Sequence, residues 1–157
     1  MRRLLGILDE EYPADDAARE AKFVHDCALA KLPGEESKRP SVEALLHALF
    51  PQRFVLHLHP ALVNGLTCSQ NGESECRRLF GDSVVWVPAC KPGYTLAKIM
   101  KDVFDASARP IKTVLLENHG VFFGADTVED LAVHLNGMLN ALNACGKEKP
   151  DVEPDAE

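Results

Sequence analysis

Two histidines stand two residues apart in the apolar segment 54–60, F-V-L-H-L-H-P, and their spacing is the first sign of chemistry in the chain. The segment is typical of a buried strand because it is apolar and contains a β-branched residue. Side chains alternate between the faces of a strand, so His57 and His59 point the same way, roughly 7 Å apart at the backbone. Imidazoles at this spacing can share one metal ion at roughly 2.0–2.1 Å from each nitrogen. Taken alone, the H-x-H pattern is equally compatible with two ordinary histidines at the end of a strand.

A third histidine, His119, follows the apolar segment 113–116 in the sequence E-N-H-G. Gly120 is expected to let the backbone turn sharply there and to place the imidazole at the end of the strand. Three imidazoles that leave one coordination position open are the arrangement of a catalytic zinc. A histidine in this position is more often structural or exposed, and only its combination with H-x-H favours a metal.

A carboxylate that could serve this site is Glu43, on a helix that the pattern predicts from a Ser41 cap through Leu49. His47 lies four residues after Glu43, and such a pair can stabilise a helix by a few tenths of a kcal/mol. The spacing therefore leaves two interpretations of Glu43 open, a helix-stabilising partner of His47 or a functional acid.

The remaining segments alternate between helical and strand patterns, which indicates a layered α/β domain with helices on both faces of a sheet. Residues 1–13 are short and mixed in character. Further helices are predicted at 14–30, 60–68, 73–80, 95–106 and 127–144, and strands at 83–88, 113–116 and 121–124.

The composition is that of one soluble domain: the chain has 157 residues, 46% hydrophobic and 26% charged. A net charge of −7 argues against a nucleic-acid surface, which needs a basic stripe. No segment approaches the roughly 18 apolar residues of a membrane helix. We expect a domain over 1–146 and an acidic, disordered tail over 147–157.

The cysteines stand at 27, 68, 76, 90 and 145, an odd number without a C-x-x-C pair. They form no disulfide framework and suit a reducing cytosol. The apolar run at residues 4–8 is too short for a signal peptide, so a cytoplasmic protein is expected. Cys68, Cys76 and Cys90 have no evident activating base and are predicted to lie in the core, while Tyr94 and His134 are predicted to be packing residues.

Three separated motifs, P-S-V-E-A-L-L-H at 40–47, H-L-H-P at 57–60 and L-L-E-N-H-G at 115–120, resemble the class II aldolase/adducin family in order and spacing. The block 84–98 is similar to the branch that contains bacterial rhamnulose-phosphate aldolase fused to a dehydrogenase. The resemblance covers residues 14–145. It implies a three-layer α/β/α fold around a central mixed, largely antiparallel sheet.

The resemblance also implies roles for individual residues. By position, His57, His59 and His119 would bind Zn²⁺ or another divalent metal, Glu43 would be the acid/base, and Ser41 of the P-S-x-E motif is the candidate substrate-binding residue. The implied reaction is reversible cleavage of a ketose 1-phosphate, such as rhamnulose 1-phosphate, to dihydroxyacetone phosphate and an aldehyde through a metal-bound enediolate. The relatives form tetramers, so a homo-oligomer acting on a small sugar phosphate, without nucleic acid or membrane, is expected.

One part of the family pattern is missing. The glycine–asparagine–x–serine loop that cradles phosphate upstream of P-S-x-E has no counterpart, since only Gly6 and Gly34 precede Pro40. We therefore expect a domain shortened at its N-terminus. The alternatives are an adducin-like scaffold domain, a truncated and inactive zinc-binding remnant, or a sugar-phosphate epimerase or dehydratase. The three histidines favour an enzyme over a scaffold.

Overall fold

The computed structural model of the protein describes residues 2–145. The tail predicted to be disordered, 147–157, and the domain boundary predicted at 146 lie outside these residues. None of the described helices is both long and apolar enough to cross a membrane.

The described chain forms seven α-helices, four strands and two 3-10 helices, Ile7–Asp9 and Gly81–Ser83. The predicted helices and strands are all present within a few residues. The helix that Ser41 was predicted to cap begins at Ala44, and its N-cap residue is Glu43. One helix was not predicted, α1 in the N-terminal segment, and a 3-10 helix, Ile7–Asp9, follows it. The helices are α1 (Arg2–Gly6), α2 (Asp16–Leu29), α3 (Ala44–Leu49), α4 (Ala61–Thr67), α5 (Gly72–Phe80), α6 (Tyr94–Ala106) and α7 (Val128–Cys145), and the strands are β1 (Phe54–Leu58), β2 (Val85–Val87), β3 (Thr113–Leu116) and β4 (Val121–Ala125).

The four strands form one mixed sheet in the order β1-β4-β3-β2. Strand β4 is antiparallel to both β1 and β3, whereas β2 and β3 are parallel. A parallel pair needs a crossover, and α6 provides it between β2 and β3. This mixed, largely antiparallel sheet confirms the predicted fold class.

Each face of the sheet carries its own hydrophobic core, which gives the three layers. On one face, Val114, Leu116 and Phe122 pack with buried residues of α2, α3 and α6. On the other face, Leu115 and Val121 pack with residues of α4, α5 and α7. The alternation of side chains along β3 and β4 therefore decides which helices each strand residue contacts.

Strand β1 was predicted to be buried, and this is wrong: all five of its residues are partly exposed. The reason is that β1 lies at the edge of the sheet, where β4 is the one strand that pairs with it. Val55 packs on the first core, and Leu56 packs on the second. His57 lies opposite Phe122, on the same face as Val55.

Tyr94 begins α6 and packs rather than facing solvent, as predicted. Its ring stacks on Tyr12, with centroids 4.0 Å apart and planes 22° apart. The backbone N–H of Tyr94 donates to Glu20 Oε2 at 3.3 Å, so a carboxylate from α2 caps the start of α6. This contact between two helices could not be predicted from local sequence.

The cysteine prediction is correct in part. Cys76 is buried and Cys90 is partly buried, but Cys68 is exposed, because it lies just beyond the last residue of α4. Cys27 is buried as well. Burial raises the pKa of the Cys27 and Cys76 thiols to about 11.

Thiol labelling tests this arrangement. At about pH 8, Ellman's reagent should react rapidly with Cys68 and Cys145, which are exposed, because the thiolate is the reactive form. Cys27 and Cys76 should react only after unfolding in guanidinium, since their raised pKa and burial leave almost no accessible thiolate. Fast labelling of Cys76 in the folded variant that carries both Cys68→Ser and Cys145→Ser would contradict the packing of α5.

Candidate metal centre

Four side chains that could bind a metal converge at one end of the sheet, namely Glu43, His57, His59 and His119. Each offers one ligand atom, and the four ligand atoms all lie within 4.8 Å of one another. Oε1 of Glu43 lies 3.1 Å from Nε2 of His119 and 3.4 Å from Nε2 of His57. The Nε2 atoms of His57 and His59 are 2.9 Å apart. The structure thus brings together the four residues that the sequence singled out as metal ligands and acid/base.

These residues come from three different parts of the fold. Glu43 is the residue just before α3, His57 lies on β1, and His59 follows the end of that strand. His119 lies in the turn between β3 and β4. Because β1 pairs antiparallel with β4, the end of β1 lies beside the start of β4, and the third imidazole reaches the other two.

The ring of His57 is held in one orientation. Its Nδ1 lies 3.0 Å from the carbonyl oxygen of Val121, and its ring stacks on Phe122 with centroids 3.9 Å apart. A carbonyl only accepts, so Nδ1 carries the hydrogen and Nε2 presents its lone pair to the cluster. Burial lowers the pKa of His57, which favours the neutral imidazole that a metal requires.

The turn that carries His119 is fixed by backbone hydrogen bonds. The N–H of His119 donates to Leu116, and the N–H of Leu116 donates to the carbonyl of Gly120 at 2.9 Å. The N–H of Asn118 donates to Thr67 at the end of α4. A side-chain contact adds to these, because the N–H of Ala89 donates to Glu117 Oε2 at 2.8 Å.

The role predicted for Gly120 is wrong. Asn118, with φ 57°, is the residue in the left-handed region that makes the sharp turn. Asparagine tolerates this conformation better than most residues do. Gly120 is needed for space, because a Cβ there would lie 2.6 Å from the carbonyl oxygen of Leu58 and closer still to the ring of His59.

Replacing Gly120 with alanine should therefore displace the His59 ring. We expect the zinc affinity of the chain to fall by about 10–100-fold, as it does when an outer residue misorients a metal ligand. Competition with a chromogenic chelator measures this affinity. The matched control is Gly65→Ala, because a Cβ at Gly65 meets nothing within 4 Å. An unchanged affinity in Gly120→Ala would contradict the steric role.

Two neighbouring residues have supporting positions. Oγ of Ser41 accepts the N–H of Glu43 at 3.1 Å, so this hydroxyl holds the backbone that carries the carboxylate. The Glu43 carboxylate contacts His57 and His119. With His47, Glu43 shares only the backbone hydrogen bond from the N–H of His47 to its carbonyl at 3.2 Å, and their side chains form no hydrogen bond or ion pair. His47 instead lies edge-on to His57 and Phe122, and burial lowers its pKa. The arrangement favours a functional Glu43 over a helix-stabilising one.

The donor set fits a divalent metal. Three imidazole nitrogens and one carboxylate oxygen are ligands that zinc prefers. Two neutral imidazole nitrogens that face each other at 2.9 Å repel through their lone pairs unless a proton or a cation lies between them. A cation among these atoms would remove that repulsion.

A cavity of about 650 Å³ lies along α5, between residues such as Glu73 and Arg78, and none of the four clustered side chains lines it. Among the four, His59 is exposed, so the cluster lies at an open surface. Side-chain chemistry, rather than cavity size, identifies the candidate site here.

The fold and this cluster define a class of protein. The chain belongs to the class II aldolase and adducin N-terminal domain family, whose sequence model matches residues 8–143. The resemblance drawn from the three motifs is thereby confirmed at the level of the family. Class II aldolases are generally metal-dependent, and the cluster could hold such a metal.

Individual relatives are similar over part of their length. The "Uncharacterized oxidoreductase YuxG" of Bacillus subtilis is 37% identical over 91 residues, which is 58% of this chain and 13% of that protein. The N-terminal class II aldolase domain of a conserved protein from Thermoplasma acidophilum is 27% identical, with a TM-score of 0.71 over 92% of this chain and 64% of that one. YgbL of Escherichia coli, proposed as an aldolase, epimerase or decarboxylase, shares the fold, with 20% identity and a TM-score of 0.54 over 75% of this chain and 63% of that one. This chain thus spans less than two thirds of each.

Proposed function

We propose that the chain is a metal-dependent lyase of the class II aldolase type. It would reversibly cleave a ketose 1-phosphate, such as rhamnulose 1-phosphate, to dihydroxyacetone phosphate and an aldehyde. The observation that carries this proposal is the convergence of three imidazoles and one carboxylate within 4.8 Å, in a chain that belongs to the family.

The metal ligands in this proposal are His57, His59 and His119, with zinc or another divalent ion between them. When bound, such an ion supplies Lewis acidity for the negative charge that develops on adjacent carbonyl and hydroxyl oxygens of the substrate. The hydrogen bond from His57 to Val121 keeps one ligand nitrogen directed at this position without rearrangement.

Glu43 is the proposed proton carrier. Its Oε1 faces the same space as the three Nε2 atoms, and its side chain keeps 26% exposure, so a substrate can reach it. A carboxylate beside the reacting carbon can take a proton from it and return one during the reverse reaction. Ser41 positions the backbone of Glu43, and we propose it as a substrate-binding residue.

An adducin-like scaffold role has less support. A scaffold needs no ligand cluster, whereas here four ligand-type side chains from distant parts of the chain point to one position. An epimerase or dehydratase would use the same cluster, so only product analysis separates these activities from cleavage. Oligomers are common in the family, and we propose a cytoplasmic homo-oligomer. Sedimentation of the purified chain would test whether it is a tetramer.

The decisive experiment has two parts. Elemental analysis should find about one zinc per chain after loading and removal of excess ion. The loaded protein should then release lactaldehyde from rhamnulose 1-phosphate, and release from unphosphorylated rhamnulose serves as the comparison. Stoichiometric zinc without aldehyde release would indicate a truncated and inactive zinc-binding remnant. Conversion of the sugar phosphate to its epimer without cleavage would indicate an epimerase. Absence of zinc and of every other divalent metal after loading would overturn the proposal.

A further inference from the structure

The side chain of Glu117 ties the turn that carries His119 to the neighbouring strand. Strands β2 and β3 are parallel, and their last paired residues are Val87 and Leu116. The N–H of Glu117 continues this ladder, because it donates to the carbonyl of Val87 at 2.9 Å. In a regular parallel ladder the carbonyl of Glu117 would then accept the N–H of Ala89. Here Oε2 of the Glu117 side chain accepts it instead, at 2.8 Å.

The carboxylate takes the place of the carbonyl because the chain leaves the sheet at the next residue. Asn118 lies in the left-handed region, with φ 57°, and its N–H donates to the carbonyl of Thr67 in α4 at 3.0 Å. The turn is therefore held from two sides, by α4 through the backbone and by the segment after β2 through Glu117. The Glu117 carboxylate can be changed without altering the other hydrogen bonds of the turn, because those are made by the backbone.

The ring of His119 depends on this turn for its position. His57 has a fixed outer partner, because its Nδ1 lies 3.0 Å from the carbonyl oxygen of Val121. No hydrogen bond within residues 2–145 holds Nδ1 of His119, and its side chain is 19% exposed, so packing does not enclose it. Histidines that bind a metal usually donate their second ring N–H to a fixed partner. Without such a partner, the backbone of the turn decides where the His119 ring lies.

We propose that Glu117 is a positioning residue of the metal centre. Its hydrogen bond from Ala89 holds the turn so that Nε2 of His119 faces the other ligand atoms. This inference rests on the proposed metal site. Glu117 is not one of the four residues whose ligand atoms converge there, so it acts on the metal through His119.

Two variants separate the hydrogen bond of Glu117 from its charge. Glu117→Asp keeps the negative charge, but its side chain is one methylene shorter and does not reach the N–H of Ala89. Glu117→Gln removes the charge and keeps an acceptor oxygen at the same reach. If the hydrogen bond positions His119, the shorter side chain impairs the site and the amide preserves it. If the charge attracts the metal, the order is reversed.

The first measurement is metal binding. Chelator competition should show that Glu117→Asp binds zinc about tenfold more weakly than the natural chain, whereas Glu117→Gln stays within about threefold of it. The visible absorption of the Co²⁺-loaded chain reports ligand geometry, and it should change in Glu117→Asp and stay native in Glu117→Gln. Glu11→Asp is the matched control, because Glu11 is exposed and lies outside the cluster. It should bind zinc as the natural chain does.

The second measurement needs no metal. In the metal-free Glu117→Asp variant, amide hydrogen exchange followed by NMR should be about tenfold faster at Asn118 and His119 than in the natural chain. The amides of α6 should exchange at their native rates. Equal acceleration in α6 would show a general loss of stability and would overturn the positioning role.

Other results would also overturn it. One is native exchange at Asn118 and His119 together with native zinc affinity in Glu117→Asp. Another is a zinc affinity that falls in Glu117→Gln and not in Glu117→Asp, since the charge would then be the cause. A natural chain that binds no divalent metal would overturn the proposed function instead, and the exchange rates would still decide whether Glu117 holds His119 in place.

Discussion

Replacing His57 with alanine is expected to lower the zinc affinity of the chain by more than about 100-fold. Loss of a residue that only hydrogen-bonds to a metal ligand lowers metal affinity about 10–100-fold in comparable sites. His57 is itself a proposed ligand, so its loss should cost more. It is also the best oriented of the three, because Val121 fixes its tautomer and Phe122 its ring plane. Chelator competition and elemental analysis measure the change, and aldehyde release should fall with it.

The matched control for this substitution is His25→Ala. His25 is exposed and lies outside the cluster, so this variant should bind zinc as the natural chain does. Thermal unfolding of both metal-free variants separates metal loss from misfolding, since His57 also packs against Phe122. A His57→Ala protein that retains full zinc affinity and a native unfolding temperature would exclude His57 as a ligand.

Replacing Glu43 with glutamine is expected to lower kcat for aldehyde release by about 10²–10⁴-fold, the usual contribution of a positioned acid or base. Glutamine keeps the shape and one carbonyl oxygen of glutamate but cannot carry the proton. Zinc content should remain close to that of the natural chain, because three imidazoles are retained. Steady-state kinetics of the zinc-loaded variant measure the effect.

Glu11→Gln is the control for Glu43→Gln, because Glu11 is exposed and lies outside the cluster. It should leave both kcat and zinc content unchanged. An active Glu43→Gln enzyme would end the acid/base assignment. Loss of zinc together with activity would make Glu43 a fourth ligand, which its 3.1 Å and 3.4 Å contacts with the histidine nitrogens also allow.

Much of the secondary structure follows from local patterns. Helices such as α6 and α7 were predicted to within two residues, because their apolar residues recur at helical spacing over three or more turns. Helix α1 has only five residues, which is too short for such a pattern to appear. Strand β1 was predicted as buried, because an apolar run does not show whether both neighbours of a strand are present.

The candidate site was predictable in its residue types but not in its contacts. The alternation of side chains along a strand places His57 and His59 on one face, and this rule is purely local. The role of Gly120 was wrongly predicted, because it depends on the distance from Gly120 to the ring of His59, which is 61 residues away in the sequence. The capping of α6 by Glu20 was missed for the same reason, because it joins two helices.

The sequence alone determined the class of the fold and the ligand-type residues, because periodicity, motif order and residue chemistry are properties of short segments. Only the tertiary structure decided that Glu43 lies 3.1 Å from His119, and that Leu115 and Val121 pack against α7. These distances depend on the antiparallel pairing of β4 with β1 and β3, and on the packing of α7 against the sheet. The register of strands and helices that are distant in sequence is set by the burial of both faces of the sheet together, which no short segment encodes.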